Sequence, residues 1–358
     1  MSPAGELDFL VPGDPATATG GYVYDRRIGE ALERDGWRVR VHALDESFPR
    51  PTGAALRDAR ERLASLPDGR IAVIDGLALA GLERLLAEAA GRLRIVALIH
   101  HPLALETGLD PALAARLEAA ERDALRHVRG AIVTSAWTAH ALASYGVPFE
   151  RLRIVEPGVD RTAAPGGDRP RRADPASPVN LLCVATLTPR KGHELLLEAL
   201  AGLRDRRWHL VCAGSLTRDP ATSDRVRRLI ARLRLAGRVS LLGEVGPEQL
   251  ERCYARADAF VLASYLEGYG MALADALVHG LPIVSTTAGA IPHTVPADAA
   301  LLVPPGNGRA LGRALASLLD DAALRGKLAR AARAAGAALP DWRESGARFA
   351  RAIAELAA

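Results

Sequence analysis

The sequence predicts an α/β fold of two doubly wound domains, each a parallel sheet wrapped by helices. Three observations carry this. Short apolar, β-branched runs alternate with longer helical patterns, as strands joined by crossover helices do. The alternation stops once, at residues 161–178 (RTAAPGGDRPRRADPASP), where proline, glycine and charge replace any period. It then restarts, and 358 residues are enough for two cores. The domains are accordingly set at residues 1–165 and 179–340, with 166–178 as linker and 341–358 as a last helix.

In the first half the strands are expected at Leu7–Val11, Arg38–Leu44, Ile71–Asp75, Arg94–Ile99, Ala131–Thr134 and Arg153–Val155. Helices are expected at Tyr22–Arg34, Ala54–Leu66, Ala80–Ala90, Pro111–His127 and Ala136–Ser144. Gly36 and Gly146 stand just past two of these, where helices end on glycine. Ser135 is placed to cap the helix that begins at Ala136. The second half gives strands Val179–Val184, Trp208–Ala213, Arg238–Leu242, Asp258–Ala263, Pro282–Ser285 and Ala300–Val303. Its helices are Lys191–Leu203, Ala221–Leu235, Pro247–Arg256, Met271–His279, Gly308–Leu319 and Ala322–Leu339, and Trp342–Leu356 follows Pro340. Two such sheets place a ligand cleft at the carboxyl ends of the strands.

Composition narrows the function classes. The net charge is +4, and its positive residues are interspersed with acids, unlike the dense one-sign patch of a nucleic-acid binder. No nucleic-acid partner is expected, while contact with an anionic membrane surface stays open. Three cysteines without a CxxC pair predict neither a disulfide framework nor a structural zinc site, and a reducing, cytoplasmic setting fits. MSPAGELDFL lacks the basic and long apolar regions of a signal peptide. Of 46 basic residues only Lys191 and Lys327 are lysine, a skew typical of a GC-rich genome. A lysine that persists against this drift is one to examine for chemistry.

The segment Ser264-Tyr-Leu-Glu-Gly-Tyr-Gly-Met-Ala-Leu-Ala-Asp275 joins a strand to a helix. Gly268 and Gly270 permit a tight turn, and the backbone N–H groups of Gly270, Met271, Ala272 and Leu273 open the helix, an arrangement that attracts phosphate. Glu267 and Asp275, two helical turns apart, suit the two ends of one bound molecule. A plain strand–turn–helix with solvated acids accounts for the same residues equally well. In Leu187-Thr-Pro-Arg-Lys-Gly-His193, Arg190 and Lys191 stand at a predicted helix start, where the dipole disfavours cations unless an anion compensates. A solvated surface pair is the alternative. Gly20-Gly21 brings backbone close to a phosphate or sugar, or belongs to an ordinary loop. Ile99-His-His-Pro-Leu-Ala104 ends a strand, where cleft residues sit. Adjacent histidines rarely converge on one ion, and HExxH, GxSxG, Walker A and dinucleotide fingerprints are absent, so no metal ligands are assigned.

Taken together these segments resemble family 4 glycosyltransferases, retaining enzymes of the GT-B fold, in which two Rossmann-like domains face a central cleft. The resemblance covers nearly the whole chain. SYLEGYGMALADALVHGLPIVSTTAGAIP (264–292) resembles the family's E-x7-E region, and VATLTPRKG (184–192) its V-G-R-L-x-x-x-K-G segment. Gly20-Gly21 matches the N-terminal glycine loop, HPLA (101–104) the catalytic-loop histidine segment, and VTSAWT and VEPGVD the end of the N-terminal domain. The last helix resembles the one that crosses back to the first domain.

The resemblance implies roles. Glu267 would hold hydroxyls of the donor sugar and Asp275 those of the ribose. Lys191 would neutralise the diphosphate with Arg190 assisting, and Gly270–Leu273 would cradle its distal phosphate. Gly20 and Gly21 would approach the donor, and His101 would line the sugar pocket. Three departures bear on this: the second acid is Asp275 instead of Glu, the family's Gly-Arg pair falls on Ala185-Thr186, and its G-G-I-P-E glutamate is His293. The implied activity is metal-independent, retaining transfer of a hexose from a UDP-, GDP- or ADP-sugar, with no other cofactor. The acceptor is a hydroxyl on a glycan, lipid or small molecule. The alternatives are a sugar-nucleotide epimerase of the same fold and a non-catalytic nucleotide-sugar-binding protein.

Overall fold

The computed structural model describes residues 5–161 and 177–358. The predicted linker lies almost wholly outside them. The chain divides into two units, residues 1–158 with 340–358, and residues 159–339.

The first unit is a six-stranded parallel sheet of order β2-β1-β3-β4-β5-β6. Its strands are β1 (Glu6–Pro12), β2 (Arg38–Leu44), β3 (Ile71–Asp75), β4 (Arg94–Ile99), β5 (Gly130–Val133) and β6 (Leu152–Ile154). Crossover helices α1 (Gly20–Arg34), α2 (Gly53–Ser65), α3 (Gly76–Ala89), α4 (Pro111–Ala124) and α5 (Ala136–Ala143) alternate with them. The central strands β3, β4 and β5 are buried along nearly their whole length, which is why they read as continuous apolar runs. One face carries α2 to α5 over Ile74, Ile95, Ala97 and Val133. On the other, α13 (Trp342–Ala357) packs on α1 so closely that a Cβ at Gly346 would stand 2.5 Å from Ala31 Cβ. Phe349 of α13 stacks on Phe9 of β1 at 5.9 Å. The capping box Asp341/Glu344 fixes where α13 begins.

The second unit repeats the plan with order β12-β11-β10-β7-β8-β9. Its strands are β7 (Val179–Val184), β8 (Trp208–Ala213), β9 (Val239–Gly243), β10 (Ala259–Leu262), β11 (Ile283–Thr286) and β12 (Ala300–Val303). Its helices are α6 (His193–Ala201), α7 (Pro220–Arg232), α8 (Pro247–Arg256), α9 (Met271–Val278), the single turn α10 (Ile291–Thr294), α11 (Gly308–Asp320) and α12 (Ala322–Ala338).

Several starts differ from the sequence expectation, among them α1 at Gly20 instead of Tyr22, and two have a clear local cause. Helix α3 begins at Gly76 instead of Ala80, because Asp75 caps it by accepting from Leu77 N–H at 2.7 Å. Helix α6 begins at His193, since Gly192 adopts φ 67° and ends a separate 3₁₀ turn, Pro189–Lys191. Arg190 and Lys191 therefore precede α6 and belong to the turn. Among the described residues no helix is long and apolar enough to cross a membrane.

Candidate active site

In the second unit the site forms where two loops leave adjacent strands. After β7 the turn Pro189–Lys191 lies against the end of β10, and a Cβ at Gly192 would stand 2.1 Å from the Ala263 carbonyl oxygen. Only glycine allows that approach at this φ. Tyr265 N–H donates to the Arg190 carbonyl at 2.8 Å and ties the loops together.

Glu267 sits at the centre of the β10–α9 loop and is 5% exposed. Lys191 Nζ and Ser264 Oγ both donate to its Oε1, each at 2.6 Å. Arg190 Nη1 stands 3.7 Å from Oε2 and donates to the Leu266 carbonyl at 2.9 Å. Behind it Gly289, at φ 58°, leaves room for the Glu267 carbonyl, which accepts from Ala290 N–H at 2.8 Å. Burial alone would raise the Glu267 carboxyl, but the charges of Lys191 and Arg190, with the hydrogen bonds from Lys191 and Ser264, hold it below its ordinary value. The group is a buried carboxylate with two cations beside it.

Gly270, at φ 96°, starts α9 with no side-chain cap. The first N–H groups of a helix lack intrahelical partners, so Met271 and Ala272 present donors at this mouth. Leu273 N–H turns inward to the Gly270 carbonyl at 2.9 Å, which makes the mouth narrower than the four-residue cradle of the sequence expectation. Asp275 sits half-buried in the second turn of α9. Lys191, Arg190 and Glu267 are thus brought into direct contact, and α9 opens four residues after Glu267.

In the first unit α1 starts at Gly20 itself, and Gly21 packs on the His100 ring, where a Cβ would meet Cδ2 at 3.1 Å. His100 Nε2 lies 3.1 Å from Asp25 Oδ1 and 3.3 Å from Asp75 Oδ2. Both carboxylates are buried. The His100 carbonyl accepts from the hydroxyls of Thr134 and Thr138, each at 3.3 Å. Burial pulls the imidazole down, but the two carboxylates reverse this and raise it to about 10. Burial raises Asp25 to about 7 against the opposing His100 charge. His101 pairs instead with Glu106, Nε2 to Oε2 at 3.5 Å. The turn that follows is held by buried Glu121, whose oxygens both accept from Leu103 N–H at 3.0 Å. A groove of about 320 Å³, lined by Phe9, Tyr22, Asp25 and Val41 among others, runs beside α1.

The sequence singled out His101, but the residue that Gly21 touches is its neighbour His100. Asp25, Asp75 and Glu121 escaped notice altogether. A signal existed for Asp25, which stands four residues after Gly21 and so on the same face of α1. Asp75 read as a strand end, and nothing local marks Glu121.

Among the described residues two groups converge closely enough to share an ion, Asp25/Asp75/His100 and Cys183/His193/Cys212. In the first, the protonated His100 already supplies a positive charge to both carboxylates.

Comparison with known proteins follows the same division. The model of Glycosyltransferase Family 4 matches residues 19–163, and that of Glycosyl transferases group 1 matches residues 168–335. A D-inositol 3-phosphate glycosyltransferase of Corynebacterium glutamicum (strain R) is 30% identical over 189 residues, 49% of this chain and 45% of the relative. The chain spans about half the length of the curated relatives it matches. Among solved structures, sucrose-phosphate synthase from Thermosynechococcus elongatus superposes with a TM-score of 0.79 at 21% identity, covering 96% of this chain and 98% of that one. Anabaena HepE in complex with UDP-glucose gives 0.78 at 18% identity, covering 97% and 99%. The solved structures share the α/β fold, and the two consecutive family matches are those of a family 4 glycosyltransferase.

Proposed function

We propose that this chain is a retaining glycosyltransferase that moves a hexose from a nucleoside diphosphate sugar to a hydroxyl acceptor without a metal. The observation that carries the proposal is the buried Glu267 carboxylate with Lys191 at 2.6 Å and Arg190 at 3.7 Å, just before the α9 mouth. A diphosphate needs cations and N–H donors at its oxygens. Lys191, Arg190 and the Gly270–Ala272 backbone supply both kinds in one unit. Glu267 accepts hydroxyl hydrogens of the sugar, and Asp275 those of the ribose. Gly20, Gly21 and His101 are assigned to the sugar end of the donor.

In the reaction the bond from the anomeric carbon to the diphosphate oxygen breaks and that carbon bonds to the acceptor oxygen. The acceptor proton passes to the departing phosphate. Negative charge grows on the leaving group, so cations already fixed beside it lower the barrier. Retention is taken from the family resemblance. The HepE complex with UDP-glucose supports a nucleotide-sugar donor. The acceptor class is open among glycans, lipids and small molecules. A cytoplasmic setting, including the inner face of the membrane, suits a chain with three free cysteines.

The test begins with melting curves against UDP, GDP, ADP and their sugars, since a bound ligand raises the melting temperature by mass action. The donor found is then offered with hydroxyl acceptors, and nucleotide release and product stereochemistry are measured. Isomerised donor without acceptor would make the chain an epimerase. Binding without turnover across the acceptors would make it a binding protein.

A further inference from the structure

Cysteine spacing along the chain predicts no metal site, yet the fold gathers a ligand set that the spacing conceals. Cys183 of β7 and Cys212 of β8 are partners in the parallel register, so they stand side by side in the sheet. His193 opens α6 over them, with Nε2 at 3.7 Å from Cys183 Sγ. The three ligand atoms lie within 4.8 Å of one another, and the residues are 1%, 3% and 3% exposed. Zinc bonds of about 2.3 Å to sulfur and about 2.0–2.1 Å to nitrogen, set tetrahedrally, place the two ligands roughly 3.6 Å apart. The Cys183–His193 edge already has that length.

We propose that Cys183, His193 and Cys212 form a buried zinc site with one open coordination position. Its charge balance favours it. Zinc with two thiolates and a neutral imidazole carries no net charge, so an apolar core can hold it, whereas a lone thiolate or imidazolium would be costly there. On loading, the two thiols each lose a proton, two Zn–S bonds and one Zn–N bond form, and no oxidant is needed. A depression of about 200 Å³ is bordered by His193 and its neighbours Gly192 and Glu194. The metal would pin the first residue of α6, two positions beyond Lys191.

The full chain, produced with zinc in the medium and purified without chelator, is assayed by elemental analysis. About one zinc per chain is expected. Refolding with cobalt(II) should give a thiolate-to-metal charge-transfer band in the near ultraviolet and the visible bands of a tetrahedral ion. Cys212→Ser should abolish both signals, and Cys253→Ser, which alters the cysteine outside the triad, should leave them unchanged. Less than a tenth of a zinc per chain with no cobalt band, or a Cys183–Cys212 disulfide in the metal-free chain, would overturn the proposal. These readouts on the unaltered chain hold even where Cys212→Ser fails to fold. They involve no sugar nucleotide, so their failure is separate from that of the transferase proposal.

Discussion

Replacing Lys191 with alanine removes the cation closest to Glu267. At 2.6 Å and an effective dielectric of 20, the lost attraction is about 6 kcal/mol before desolvation is counted. Arg190 remains at 3.7 Å, and Ser264 still donates at 2.6 Å, so the carboxylate keeps partners. Breaking a buried pair by deleting one member costs about 3–5 kcal/mol, and those remaining partners place this case at the lower end. The protein should therefore melt earlier yet remain folded. Catalysis should suffer more, because a preorganised charge aimed at a leaving group is worth about two to three powers of ten in turnover. The assay is nucleotide diphosphate release at saturating donor and acceptor, with circular dichroism as the check on folding. Lys191→Ala should lower kcat at least 100-fold, a scale set by oxyanion-hole deletions. A folded Lys191→Ala protein turning over within tenfold of the unaltered chain would refute the placement of the diphosphate.

Three other outcomes are expected. Gly289→Ala forces a Cβ to 2.2 Å from the Glu267 carbonyl at φ 58°, so kcat should drop with loss of stability; unchanged melting and turnover would show that the loop tolerates the side chain. Glu121→Ala leaves the Leu103 N–H without its acceptor, at about 1–3 kcal/mol, measured by denaturant unfolding of the pair of proteins; equal midpoints would show that Glu121 does not hold the turn. The third concerns pH. His100 titrates near about 6.5 when unfolded and about 10 when folded, so its stabilisation is full below the first value and lost as pH rises through the second. The difference in melting temperature between the unaltered chain and His100→Gln should therefore shrink as pH rises from about 6.5 to about 10. A constant difference would show that the imidazole is not held charged by Asp25 and Asp75.

Much of the fold was legible because each cue is local. Parallel strands buried on both faces read as unbroken apolar runs, so β3, β4 and β7 stood out. Helix ends failed where the signal was non-local or ambiguous. Asp75 looked like the last residue of a strand, yet its side chain starts α3. The predicted helix took in Lys191 and Gly192, and what excludes them is the left-handed Gly192 and its approach to Ala263.

The site was legible in proportion to how much of it lies in one segment. Glu267, Gly270 and Asp275 share a single loop and helix, and the lysine that touches Glu267 was marked by its rarity. His100 and His101 show the opposite case. They are identical in type and adjacent in sequence, so neither composition nor spacing ranks them. What separates them is supplied from elsewhere: Asp25 by α1, Asp75 by the end of β3, and the hydroxyls of Thr134 and Thr138 by the β5–α5 junction. An imidazole held between two buried acids has a definite position, and Gly21 packs on its ring. His101 pairs with half-exposed Glu106 at 3.5 Å. His100 is thus the anchored residue of the pair, and the sugar-end role proposed for His101 is decided by substituting each histidine in turn.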